Sequence, residues 1–192
     1  MINRIGYTLK MAWRYRKALM AYRNDPVFQI KSVLEMDVTQ LRAQGTKALI
    51  LDFDGVLATY GEVSPEPELE SWLNACIQTF GSGNVLILSN KATQQRVEYF
   101  AKYFKGIVFF VCQKKKPYPD GLLEIKALTQ FDSKELLIVD DRLLTGILAA
   151  IITNTPALYL TPPLFSLRKK PIQELFFMGL RALERMIYYQ KQ

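Results

Sequence analysis

The chain contains no histidine. That absence excludes a Ser-His-Asp triad, a histidine general base and a histidine-ligated zinc site. Cysteine is nearly as scarce: Cys76 and Cys112 are the whole complement. A disulfide framework and a four-cysteine metal site are therefore excluded as well. A long apolar run is also missing. Residues 143–167 carry no charge, but Asn154, Pro156, Pro162, Pro163 and several threonines interrupt them. A bilayer span needs about 20 mostly apolar residues. A helix, a loop and a buried strand account better for this stretch. Any enzymatic chemistry here falls to carboxylates, lysines and hydroxyls.

What is present can build a core. Of 192 residues, 49% are apolar and 22% charged, which suits one globular domain with terminal extensions. The net charge of +7 is unevenly spread. Residues 1–24 hold six basic residues and no acid, and residues 168–192 hold six against Glu174 and Glu184. Ends of +6 and +4 leave −3 for the middle. A nucleic-acid binder is not expected from that distribution. It reads as a mildly acidic domain, residues 25–167, between basic arms. In the first arm, Ile5, Leu9, Trp13 and Met20 share a helical face among basic residues. The pattern admits an interfacial amphipathic helix, an organelle targeting segment, or a surface helix packed on the domain. In the last arm, Ile172, Leu175, Phe176, Leu180, Leu183 and Ile187 fall at helical spacing. That face is expected to pack on the core.

Between the arms, short apolar runs alternate with helical patterns. Residues 47–53, 84–89, 107–111, 135–140 and 156–160 read as strands. Helices are expected near 65–80, 91–104, 119–130 and 143–152, the first capped by Ser64 with Pro65 at its first turn. The alternation predicts a Rossmann-like three-layer α/β/α sandwich around a mainly parallel five-stranded sheet. Ligands of such sheets bind beyond the carboxyl ends of the strands. The polar residues there are Asp52 and Asp54, Ser89 and Asn90, Lys116, and Asp140 and Asp141.

Alone, each motif has an ordinary structural reading. Asp52-Phe53-Asp54-Gly55 suits a solvated turn, Ser89-Asn90 a helix cap, Lys114-Lys115-Lys116 a solvated run, and Asp140-Asp141 a turn. Four polar motifs in order at four strand ends are unexpected by chance. Together the set resembles the haloacid-dehalogenase superfamily of aspartate-nucleophile phosphatases. The resemblance implies the roles that follow. Asp52 attacks phosphorus and forms an aspartyl-phosphate. Asp54 is the acid and then the base. Ser89, helped by Asn90, hydrogen-bonds the phosphoryl group, and Lys116 neutralises its charge. Mg²⁺ is held by Asp52, Asp141 and the Asp54 backbone carbonyl, with Asp140 adding to the acidic surroundings.

Thirty-four residues separate Asp54 from Ser89, and 25 separate Asn90 from Lys116. Neither gap holds a large cap domain, so an open site is expected. The lead-in over residues 26–47, with Val33-Leu-Glu-Met-Asp-Val38 and Leu41-x-x-x-Gly45-Thr46-Lys47, is similar to that of YqeG-like, subclass IIIA phosphatases. These include phosphatidylglycerophosphate phosphatases. Lys116-Pro117-Tyr118-Pro119, Thr161-Pro162-Pro163 and an Arg-x-x-Glu helix near 180–187 also resemble that family. Two departures stand out. The family's Asp-x-Asp-Asn-Thr is Asp52-Phe53-Asp54-Gly55-Val56 here. Its Gly-Asp-Gln-x-x-Thr-Asp is Asp140-Asp141-Arg142-Leu143-Leu144-Thr145-Gly146. Arg142 adds a positive charge at the cleft rim, where it is expected to contact substrate.

The expected activity is Mg²⁺-dependent removal of phosphate from phosphatidylglycerophosphate, at the periphery of an anionic membrane in the cytoplasm or an organelle. The alternatives are a phosphatase of protein, nucleotide or nucleic-acid-end phosphomonoesters, and a degenerate, non-enzymatic membrane-associated module. Composition leaves the oligomeric state open. Cys76 and Cys112 are expected to be core or near-core thiols.

Overall fold

A computed structural model describes residues 3–168 and 171–189; Lys169, Lys170 and Lys191 of the basic tail lie outside them. The helices are α1 (Arg4–Arg14), α2 (Arg16–Asn24), α3 (Val38–Ala43), α4 (Glu70–Phe80), α5 (Gln94–Tyr103), α6 (Asp120–Thr129), α7 (Leu148–Thr153) and α8 (Pro171–Ile187). The strands are β1 (Gln29–Ile30), β2 (Ala48–Leu51), β3 (Val85–Leu88), β4 (Ile107–Phe110), β5 (Leu136–Asp140) and β6 (Ala157–Leu160). All pairings are parallel, in the order β1-β6-β5-β2-β3-β4.

The sheet therefore has six strands, where the apolar runs predict five. The sixth is the two-residue edge strand β1, paired with Tyr159 and Leu160 of β6. It is too short and too polar to stand out by periodicity. The expected cap at Ser64 is also displaced. A 3-10 turn begins at Pro67 after Glu66 and runs into α4.

The three layers follow from side-chain alternation along the central strands. Leu49, Leu51, Val85, Ile87, Leu137 and Val139 face one core with Leu73 and Cys76 of α4 and Phe100 of α5. Ala48, Ile50, Leu86, Leu88, Leu136 and Ile138 face the other, with Leu122 and Ile125 of α6 and Leu148 of α7. Strands buried on both faces must be apolar throughout, as these are. Leu19 of α2 is fully buried in the second core, so the first arm is built into the domain.

The last arm reverses its expected orientation. Glu174, Arg181 and Glu184 of α8 are 1–4% exposed, whereas Ile172 is 83% and Phe176 62% exposed. The helix docks through its charged stripe because that stripe meets Asp141, Arg142 and free backbone N–H groups in the domain. Among the described residues, no helix is long and apolar enough to cross a membrane.

From β2 the chain runs outward to β3 and β4, then returns to the far side of β2 as β5. The topological switch point thus lies between β2 and β5. There Asp52 and Asp140-Asp141 leave the sheet.

Candidate active site

β2 delivers Asp52 to the switch point, where its backbone N–H still donates to the Val139 carbonyl at 2.9 Å. The chain then turns tightly. Gly55 sits at φ +93°, its N–H donating to Ala58 O at 2.7 Å. A Cβ at Gly55 would lie 2.5 Å from Asp141 Oδ2 and 2.8 Å from Arg181 Nη2. Only glycine admits both the backbone conformation and this close approach.

Asp52, Asp140 and Asp141 form a buried trio whose ligand-capable oxygens all lie within 4.8 Å of one another. Lys116 is buried beneath them, its Nζ 3.0 Å from Asp52 Oδ1 and 2.6 Å from Asp140 Oδ2. Asn90 holds the lysine in place, its Oδ1 accepting from Lys116 N at 2.7 Å. The lysine run is thus divided in function: exposed Lys114 pairs with Asp120, Lys115 lines the cleft, and Lys116 enters the interior. Ser89 also lines the cleft and does not cap α5; Thr93 does.

The electrostatics of this cluster follow from burial. Desolvation, helped by Asp140, Asp141 and Asp54, outweighs Lys116 and pushes Asp52 up to about 8. Burial likewise lifts Asp141 to about 6, against the pull of Arg181. For Lys116, burial opposes the charge, but Asp140 and Asp52 overcome it and raise the pKa. The trio is short of positive charge, and Asp141 Oδ1 is buried without a hydrogen-bond partner. Three clustered carboxylates with an unused oxygen are a hard-cation donor set. The residues present fit a divalent metal.

Asp54 is not one of the trio. Arg96 of α5 takes both its oxygens, Nη1 to Oδ2 at 2.9 Å and Nη2 to Oδ1 at 2.6 Å. Arg96 is itself fixed by the carbonyls of Glu62 and Lys91 and lies over the Phe53 ring at 4.2 Å.

α8 closes one side. Arg181 Nε donates to Asp141 Oδ2 at 2.5 Å. Glu184 accepts from Arg142 Nε at 2.9 Å and also from its Nη2. Glu174 accepts from the Tyr60 and Ser166 backbone N–H groups at 3.0 and 3.2 Å. Arg142 does border the cleft, but its guanidinium is engaged with Glu184. The cleft holds about 470 Å³, and Arg4, Tyr60, Thr145 and Phe177 complete its wall.

Sequence reading missed Arg96 and Arg181. Arg96 sits within an ordinary amphipathic helix, 42 positions from its partner, and gives no local signal. Arg181 has one: it opens the Arg-x-x-Glu element, whose two charges reach Asp141 and Arg142 respectively.

Gly146 explains the altered fourth motif. A Cβ at position 146 would overlap the carboxylate of Asp140. The acid at 140 fills the space that a side chain at 146 would need. Against the motif that residues 140–146 resemble, an acid at 140 goes with a glycine at 146 because the two side chains would compete for the same space.

The six-stranded parallel sheet, with strand-end motifs meeting at its switch point, defines a fold of the haloacid-dehalogenase type. Residues 22–164 match the family described as Mitochondrial PGP phosphatase, and the chain belongs to that family. It is 30% identical over 128 residues to a phosphatidylglycerophosphate phosphatase 1, chloroplastic, of Chlamydomonas reinhardtii, covering 64% of this chain. The chain spans about half, 47%, of that relative's length. One solved structure aligns with a TM-score of 0.51 at 10% identity, covering 74% of this chain and 81% of its own, a likeness of fold alone. Another, an uncharacterised protein from Corynebacterium glutamicum, aligns at 18% identity and a TM-score of 0.45, covering 72% and 96%. The N-terminal part of BF1531 from Bacteroides fragilis, containing a phosphatase domain complexed with Mg, aligns at 12% and 0.43, covering 92% and 57%.

Proposed function

We propose that this chain is an Mg²⁺-dependent phosphatase that converts phosphatidylglycerophosphate to phosphatidylglycerol and inorganic phosphate. The observation that carries the reading is the buried trio Asp52, Asp140 and Asp141 around Lys116, in a chain of this family. An Asp52 oxygen bonds to phosphorus as the phosphorus–glycerol oxygen bond breaks. Asp54, positioned by Arg96, gives its proton to the departing alkoxide. Asp54 then takes a proton from water as the water oxygen attacks the phosphorus of the aspartyl-phosphate. Phosphate leaves and Asp52 is regenerated. The Ser89 hydroxyl donates to a phosphoryl oxygen, and Lys116, held by Asn90, offsets charge on phosphate and nucleophile.

Asp52, Asp141 and the Asp54 carbonyl would hold Mg²⁺, with Asp140 fixing Lys116 beside them. The metal supplies the positive charge that lets a carboxylate approach a phosphate dianion. Arg142, through its pairing with Glu184, secures α8 at the rim and presents its remaining edge to substrate.

The exposed apolar residues of α1 and α8, among basic neighbours such as Lys10, Arg14 and Lys17, favour lipid over a soluble phosphoester and suit peripheral contact with an anionic bilayer. The family and the chloroplastic relative support an organellar setting. Phosphate release from phosphatidylglycerophosphate in mixed micelles tests the reading. Wild type is expected to release phosphate with Mg²⁺ and not with EDTA, and Asp52→Asn to release none. Higher kcat/KM on a phosphopeptide or nucleotide would favour a soluble substrate instead.

A further inference from the structure

A second space adjoins the catalytic cleft. It is a groove of about 360 Å³ between α1 and α8, walled chiefly by Ile5, Leu9, Leu144, Leu180, Leu183 and Ile187. Its apolar walls are uncovered: Leu9 is 63% and Leu183 49% exposed. Arg4, Arg142 and Thr145 line both the groove and the cleft, so the two spaces are continuous at that point. Of the two arginines at the junction, Arg142 is committed to Glu184. No carboxylate pairs with Arg4 among the described residues. Both helices fall outside the residues, 22–164, that match the family.

We propose that the α1–α8 groove is the subsite for the diacylglyceryl part of the phospholipid substrate, and that Arg4 at its mouth neutralises the phosphodiester linking that part to the terminal glycerol phosphate. The inference rests on the lipid-phosphatase reading given above. Such a substrate presents, in order, a phosphomonoester, a glycerol, a phosphodiester and acyl chains. The protein presents, in order, the Asp52 cleft, a junction with an unpaired cation, and an apolar trough. The sequence of chemistries matches along one continuous path. At roughly 30 Å³ per water-sized group, the trough takes about a dozen such groups. It therefore accepts the glyceryl end and the first methylenes, and the remaining chain stays in the bilayer. Burial and the neighbouring Arg142 lower the Arg4 pKa, and the groove's one carboxylate, Glu184, is taken by Arg142.

Dihexanoyl phosphatidylglycerophosphate, kept below its micellar concentration, separates the groove from simple contact with a surface. The comparison substrate is p-nitrophenyl phosphate, which has neither phosphodiester nor acyl chain. For Leu9→Asn and Leu183→Asn, the ratio of kcat/KM on the monomeric lipid to that on p-nitrophenyl phosphate is expected to fall at least about tenfold. Arg4→Gln should lower the ratio similarly, and Arg4→Lys should recover part of it. Leu128→Asn, at an exposed leucine that lines neither the groove nor the cleft, should leave the ratio unaltered. Equal losses on both substrates, or none on either, would overturn the proposal. So would losses seen only with vesicles, which assign the groove to the bilayer surface, or a dimer that Leu183→Asn dissociates, which assigns it to a second copy. If wild type cleaves p-nitrophenyl phosphate but not the lipid, the substrate reading fails. The groove is then judged by whether dihexanoyl phosphatidylglycerol competes in wild type and not in Leu183→Asn; equal competition in both rejects it.

Discussion

Arg96 holds both carboxylate oxygens of Asp54, at 2.6 and 2.9 Å, from α5, the helix that links β3 to β4. Asp54 therefore presents its carboxyl in one orientation. Arg96→Lys keeps the charge and loses the two-point grip. Its kcat/KM on the lipid, which reports the step that expels the leaving group, is expected to fall about ten- to a hundredfold, less than outright loss of the general acid would cost. The loss should be much smaller on p-nitrophenyl phosphate, whose leaving group needs no proton. Equal losses would reduce Arg96 to a structural role. Steady-state kinetics on the two substrates decide between these outcomes.

This pairing marks where sequence reading stops. The strand-end motifs were legible because parallel strands buried on both faces are almost wholly apolar, so a polar residue at their ends stands out. Asp52, Ser89, Lys116 and Asp141 could be found that way. Arg96 could not, because nothing local distinguishes it from a solvated helix arginine. β1 escaped because two residues carry no periodicity. For α8, the apolar spacing was evident but its direction was not. Glu174, Arg181 and Glu184 turn inward toward backbone N–H groups, Asp141 and Arg142; apart from Ser166, 8 positions off, these partners lie 40 to 114 positions away.

The exchange between positions 140 and 146 makes a stability prediction. Gly146→Ala drives a methyl into the Asp140 carboxylate and is expected to cost about 3 kcal/mol, as overpacking does. Thermal denaturation should register a drop of roughly 6 °C or more for a chain of this size. Gly146→Asp alone should be at least as damaging. Combining it with Asp140→Gly should restore much of the lost stability, because the carboxylate then enters the same space from the other side. A double variant no more stable than Gly146→Asp would refute the exchange.

With no histidine in the chain, the near-neutral range is left to buried carboxyls. Between pH 6 and 7.5 ordinary carboxylates are already ionised in both folded and unfolded chains. Asp52, lifted by burial to about 8, stays largely protonated across this window in the metal-free fold, and Asp141, lifted to about 6, is partly protonated at its lower end. The folded state then binds more protons than the unfolded one, so stability must fall as pH rises through this window. Melting temperature in EDTA is expected to decline from pH 6 to 7.5. Excess Mg²⁺ should abolish the decline by favouring the ionised form, and Asp52→Asn should remove most of it in EDTA, leaving what Asp141 contributes near pH 6. A flat profile for wild type in EDTA would contradict the assigned environment of Asp52.

The two cysteines should differ in reactivity. Cys76 is fully buried between α4 and the sheet, and burial pushes its thiol up to about 12. Cys112 is only partly covered, although burial raises its pKa too. Iodoacetamide at pH 8 is expected to label Cys112 in the native protein and Cys76 only after unfolding. Peptide mass spectrometry reads both sites, and rapid native labelling of Cys76 would contradict the packing of α4.

The central claim is that Asp52 becomes covalently phosphorylated. Borohydride reduces an acyl-phosphate to an alcohol, converting an aspartyl-phosphate to homoserine. Enzyme quenched with borohydride during turnover, in Mg²⁺ and saturating phosphatidylglycerophosphate, can be digested and its peptides weighed. The account predicts homoserine at position 52, none at 54, 140 or 141, and none when Mg²⁺ is withheld. Turnover without any modification at Asp52, or homoserine at Asp54 in its place, would contradict it.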